Sequence, residues 1–135
     1  MVVTNATEAW CTEIPGGVEA ACTARELLTK VFGETAPEST MHDLHLLTTE
    51  LVTNAVLHAG AGESDAIELR VAPGVDSLRV SVTDPGRFSD TPHVEEPDPE
   101  TPGGMGLFLV EQLSSRWGVE SVGAGAHRVW FELAA

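Results

Sequence analysis

Glu50 and Asn54 lie four residues apart within Leu44 to Ala59, a run whose other side chains are largely apolar. A helix apolar on nearly every side is buried, so polar groups on it need partners. A bare buried carboxylate costs several kcal/mol or has its pKa pushed upward. Side chains at i and i+4 point the same way, so Glu50, Asn54 and His58 line one edge that can face a ligand. A carboxylate there can take a proton from a water or a hydroxyl. The amide oxygen can hold a hard cation such as Mg²⁺, whose shell accepts one or two protein oxygens plus phosphates. His58 also suits the simpler role of a donor to the last helix carbonyls.

Two downstream groups extend this chemistry. Val80 to Gly86 is an alternating strand ending in Asp84-Pro85-Gly86. Its terminal carboxylate can accept from an exocyclic amine, and Gly86 lets a ring come close to the backbone. Asp-Pro-Gly is equally a common turn tripeptide. Gly103-Gly104-Met105-Gly106-Leu107 then runs into an apolar helix, and a glycine-rich helix entry leaves N–H groups free for phosphates. A dinucleotide fingerprint is excluded because residue 109 is Leu and a polar loop, not a strand, precedes the glycines.

Taken in order, Glu50-x-x-x-Asn54, Asp84-x-Gly86 and Gly104-Met105-Gly106-Leu107 resemble the three boxes of the GHKL ATPases, which share the Bergerat nucleotide-binding fold. Gyrase and the histidine kinases belong to that superfamily. The short chain and its ending, from Trp117-Gly118-Val119-Glu120 to Val129-Trp130-Phe131-Glu132-Leu133, look most like bacterial anti-sigma factor serine/threonine kinases. The resemblance covers about residues 8 to 133. It implies ATP and Mg²⁺ as cofactors, Glu50 as catalytic base, Asn54 as metal ligand and Asp84 with Gly86 at the adenine. Gly104, Met105, Gly106 and Leu107 would cradle the phosphates. The implied activity is phosphorylation of an anti-sigma-factor antagonist protein by a homodimer that also sequesters a sigma factor. A non-catalytic ATP-dependent regulatory module of the same fold is the alternative. One departure concerns the last strand, where many relatives place a Thr near the adenine. The matching position here is read as Arg128, which would loosen base contacts. In addition, no Lys or Arg follows Arg87 in the polar segment up to residue 102, which implies slow turnover.

Composition sets the frame for these groups. The 135 residues fit one domain, 1–135, long enough to bury a core, and 42% hydrophobic content with a mean hydropathy of +0.02 argues against disorder. The net charge of −14, from 21 acids against 7 Lys and Arg, argues against direct nucleic-acid binding. ATP is also an anion, so backbone dipoles and a divalent cation must overcome that field locally. Cys11 and Cys22 match neither a zinc site nor a redox pair and read as reduced thiols. There is no membrane-spanning apolar run and no signal-peptide pattern, so a cytoplasmic location is expected.

The elements that position the site follow from periodicity. Residues 8–14 read as a short edge strand, and Val18 to Phe32 as helix one, with Ala21, Ala24, Leu27, Leu28 and Val31 at helical spacing. Pro37 breaks the chain, and Ser39 or Thr40 is expected to cap a second helix running to about Ala59 and stopped by Gly60-Ala61-Gly62. Ile67–Val71 and Leu78–Val82 alternate as a hairpin, with Ile67, Leu69, Val71, Leu78, Val80 and Val82 inward. The Pro- and acid-rich stretch from 87 to 102 reads as a lid, and Gly106 to Arg116 as a third helix. Strands near 119–122 and 128–133 complete a two-layer α/β (α+β) sandwich, its mixed, largely antiparallel sheet carrying helices on one face. Arg25 reads as an ordinary solvated side chain, with a dimer or partner contact, as the resemblance implies for that position, as the alternative, and Trp10, Trp117 and Trp130 read as core or interface anchors.

Overall fold

The structure is a computed structural model that describes residues 9–57, 60–74, 76–84, 106–123 and 125–134. The chain runs β1 (Trp10–Pro15), α1 (Ala20–Phe32), α2 (Glu38–Leu57), β2 (Ala66–Pro73), β3 (Ser77–Thr83), α3 (Gly106–Leu113), β4 (Arg116–Ser121) and β5 (His127–Ala134). The five strands form one sheet in the order β1-β2-β3-β5-β4, and all four pairings are antiparallel. The two-layer α+β sandwich is thus as expected, while the parallel component of a mixed sheet does not occur among the described strands.

Alternation sorts the sheet into two faces. Ile67, Leu69, Val71, Val80, Val82, Val129, Phe131 and Leu133 are buried in one core with Ala24, Leu28, Leu44, Leu47, Leu51 and Val52 from the helices. Leu78 is only partly buried. The second helix packs on β3 and β5 and touches both other helices, which makes it the central element of the helical layer. It buries Met41, Leu44, Leu47, Thr48, Leu51, Val52 and Ala55, a stripe at spacings of three and four.

Several boundaries differ from the sequence reading for local reasons. Helix one starts at Ala20, not Val18: Gly17 takes a left-handed φ of 91° and its carbonyl accepts from the Ala20 N–H, leaving Val18 91% exposed. Helix two starts at Glu38, so Ser39 and Thr40 lie inside it and cap nothing. The Pro37 carbonyl accepts the Met41 N–H, and Glu38 places an acid in the first turn, where the helix dipole favours it. Helix three ends at Leu113, not Arg116. The Ser114 N–H still bonds the Val110 carbonyl, but the Ser115 N–H already bonds Glu132 of β5, and Arg116 opens β4. The second helix is described to Leu57; residues 58 and 59, where it was expected to end, lie outside the described residues, and Gly60 beyond them takes a left-handed φ of 68°.

Candidate functional site

The candidate site is built on the helix-facing side of the sheet, where α2 crosses β3 and β5. Glu50 and Asn54 are both half-buried on α2, one turn apart, between the core positions Leu47, Leu51 and Ala55. Burial pushes the Glu50 carboxyl above its ordinary value of 4.5. That is the behaviour of an acid held partly out of water, and it suits a group that must accept a proton near neutral pH. Beside it on the same helix, Thr49 accepts a hydrogen bond from Arg25 of α1 at 3.1 Å. Arg25 therefore ties the two helices together and is not simply a solvated cation.

Asp84 follows directly on β3 and continues the parity of Val80 and Val82, so it belongs to the helix-facing side. It is buried, its N–H donates to the His127 carbonyl at 3.0 Å, and its Oδ1 accepts from the His127 N–H at 3.3 Å. The His127 ring lies beside it, with Nδ1 3.9 Å from Asp84 Oδ2. Nδ1 is buried and has no hydrogen-bond partner among the described residues.

His127 is the residue that the sequence reading missed, and its neighbour is the one misassigned. Arg128 does not approach the side occupied by Asp84. Its Nε donates to Thr83 Oγ1 at 3.2 Å and its Nη1 lies 3.7 Å from Glu120, both on the opposite face of the sheet. The signal was present in the alternation of β5: Val129, Phe131 and Leu133 face the core, so His127 must as well.

The third group is described in part. Gly106 is the first residue of α3 and Leu107 the second, and α3 packs against α2, which brings its N-terminus to the same layer as Glu50 and Asn54. Gly86, Gly104 and Met105 lie outside the described residues, as do His58 and the expected lid at 87–102. Among the described residues no three His, Cys, Asp or Glu side chains converge as a metal cage.

The sequence from Ile14 to Glu132, residues 14–132, matches the family model of the histidine kinase-like ATPase domain. The chain belongs to that family. ATP is the ligand that family membership implies. The comparison with individual curated proteins gave no match. Among solved structures, a chain of the SiaB–SiaC complex from Pseudomonas aeruginosa shares the fold, with a TM-score of 0.53 and 19% identity over 93% of this chain and 89% of that one. No helix among the described residues is long and apolar enough to cross a membrane.

Proposed function

We propose that this histidine kinase-like ATPase domain is an ATP-dependent serine/threonine kinase of the anti-sigma type, acting on an anti-sigma-factor antagonist protein. In this reading Glu50 is the catalytic base, Asn54 holds Mg²⁺, and Asp84 with Gly86 receives the adenine. The backbone from Gly104 through Met105 and Gly106 to Leu107 cradles the phosphates. The observation that carries it is a half-buried, charge-averse carboxylate sharing one helix face with an amide in a domain of an ATP-binding family. The donor chemistry would suit Mg²⁺: the Asn54 amide oxygen would supply one hard ligand, with phosphate oxygens and waters as the others, so no protein cage would be needed. When bound, the ion neutralises charge on the transferring phosphoryl group.

Glu50 takes the proton of a substrate Ser or Thr hydroxyl as its oxygen bonds to the γ-phosphorus. The bond from that phosphorus to the β-phosphate oxygen breaks, and ADP leaves. Asp84 accepts from the adenine amine, and a guanine carbonyl in the same place would leave the acid without a donor. A fold relative seen in complex with a second protein supports a protein as the substrate. The same domain is proposed to sequester a sigma factor, as a homodimer.

A second reading, an ATP-dependent regulatory module without useful catalysis, is favoured by one observation: residues 88–105 contain no Lys or Arg to stabilise a transferring phosphate. Labelled ATP, Mg²⁺ and a candidate antagonist separate the two. Phosphate transfer that depends on Glu50 supports the kinase, and nucleotide binding without transfer supports the module. The metal assignment has its own check, since Asn54→Ala must weaken Mg-ATP binding in calorimetry, and parental affinity in that variant refutes it.

A further inference from the structure

The seven Lys and Arg residues of this acidic chain are unevenly placed. Arg25 and Lys30 are on α1 and Arg87 is outside the described residues, while Arg70, Arg79, Arg116 and Arg128 all sit on the sheet face turned away from the helices. Glu13, Glu68, Glu120 and Glu132 share that face by register. It is therefore close to neutral, and the net charge of −14 belongs to the rest of the molecule. This is where an acidic partner meets least repulsion.

The centre of the face is shaped as well as charged. Trp130 lies against Gly118, where a Cβ would come within 2.8 Å of the indole, and the Arg79 guanidinium stacks on the ring at 3.9 Å from its centroid. Beside this stack is a depression of about 300 Å³ bounded by Arg70, Arg79, Arg128, Glu120 and Trp130, with small side chains between them. The arginines are not equally satisfied. Arg79 is locked to Glu132 at 2.7 Å, a carboxylate only 15% exposed. Arg128 meets Glu120 loosely at 3.7 Å, and Arg70 has no ion-pair partner among the described residues.

Arg70 and Arg128 are on β2 and β5, with β3 between them, so their strands are roughly 10 Å apart. Two carboxylates can be seated side by side on arginines carried by strands that far apart. Acidic side chains on alternate residues of an extended segment repeat at roughly 7 Å and can address both. The guanidinium fork matches carboxylate geometry, and a stacked Trp–Arg pair is typical of the centre of a protein interface. A nucleic acid fits less well: its uniform run of phosphates would continue past the depression, over the interleaved glutamates and onto the acidic remainder of the surface.

We propose that the open face of the sheet is a second binding surface, on the opposite side from the nucleotide site, which takes an extended acidic segment of a protein partner with its carboxylates on Arg70 and Arg128 beside Trp130. The inference stands independently of ATP chemistry. The test uses the full chain and an acetylated ten-residue peptide of alternating Glu and Ser, titrated by NMR or calorimetry at low ionic strength. Saturable binding is expected, lost on adding salt and weakened roughly two- to tenfold by Arg70→Gln or Arg128→Gln and further by the double variant. The double variant is expected to keep the parental melting temperature and Mg-ATP affinity, and a Lys-Ser peptide is expected to leave the NMR signals of Arg70, Arg128 and Trp130 unshifted. The proposal is overturned if the parent ignores the peptide or if the double variant binds it unchanged. It is also overturned if a single-stranded oligonucleotide of equal charge displaces the peptide at lower concentration, or if sedimentation shows these arginines holding two copies of the chain together.

Discussion

Replacing Glu50 with Gln keeps the side-chain size and removes the charge, so it separates what the carboxylate does from what it costs. The parent carboxyl is half-buried on α2 and its pKa is raised by burial above 4.5. A group whose folded pKa exceeds its unfolded value holds its proton more tightly in the folded state. Its contribution to stability is full below the unfolded pKa and is lost as pH rises through the folded one. Gln has no such loss. The variant should therefore gain stability relative to the parent as pH is raised from about 4 to about 7.5, followed by denaturant unfolding at each pH. Activity should move the other way. Removing a general base costs roughly 10²- to 10⁴-fold, or about 3 to 5.5 kcal/mol of barrier, in phosphate transfer to the antagonist, while Mg-ATP affinity changes little. A stability gap that does not widen with pH refutes the burial argument. Transfer within about threefold of the parent refutes the base.

Three further outcomes are expected. Asp84→Asn should lower the preference for ATP over GTP by roughly tenfold or more in competition binding, because the amide can donate to a guanine carbonyl where the carboxylate could not. Thr48→Val should stabilise the fold by about 1 kcal/mol, raising the melting temperature by about 3–5 °C in calorimetry, since the Thr48 hydroxyl is fully buried without a hydrogen-bond partner among the described residues. His127→Ala should weaken ATP binding while Arg128→Gln leaves it within about twofold, and the reverse pattern would show that the two side chains of β5 face the other way.

The sequence was most legible where periodicity and burial agree. The stripe of α2 and the inward set of the β2–β3 hairpin were readable because a partly buried helix and a half-buried strand each repeat with their own period. The ends of elements were harder to read. Ser39 and Thr40 have the right chemistry for a cap, but the helix starts at Glu38, two or three residues before a start capped by either of them. The end of α3 was hidden because Ser114 and Ser115 carry no strong stop signal, and only the pairing of Ser115 with Glu132 across the chain draws the backbone into the sheet. The open face was unreadable for a related reason: alternate strand residues show that Arg70, Arg79 and Arg128 point away from the core, but only the strand order brings them together.

The pairing of β3 with β5 gives the sheet its division of labour. Thr83 is opposite Arg128, and the next step along the ladder joins Asp84 to His127 through two backbone-based hydrogen bonds. Successive residues of a strand point to opposite faces, so each of these two dipeptides offers one side chain to the helical layer and one to the open face. Asp84 and His127 meet on the helix-facing side, while Thr83 and Arg128 are hydrogen-bonded on the other. The arrangement puts a guanidinium one residue from the proposed adenine acid without letting it neutralise that acid, because the backbone of the sheet lies between them. In a chain with so few cations, the sheet backbone keeps Arg128 apart from Asp84 and places it beside Thr83, Glu120 and the depression bounded by Arg70 and Trp130.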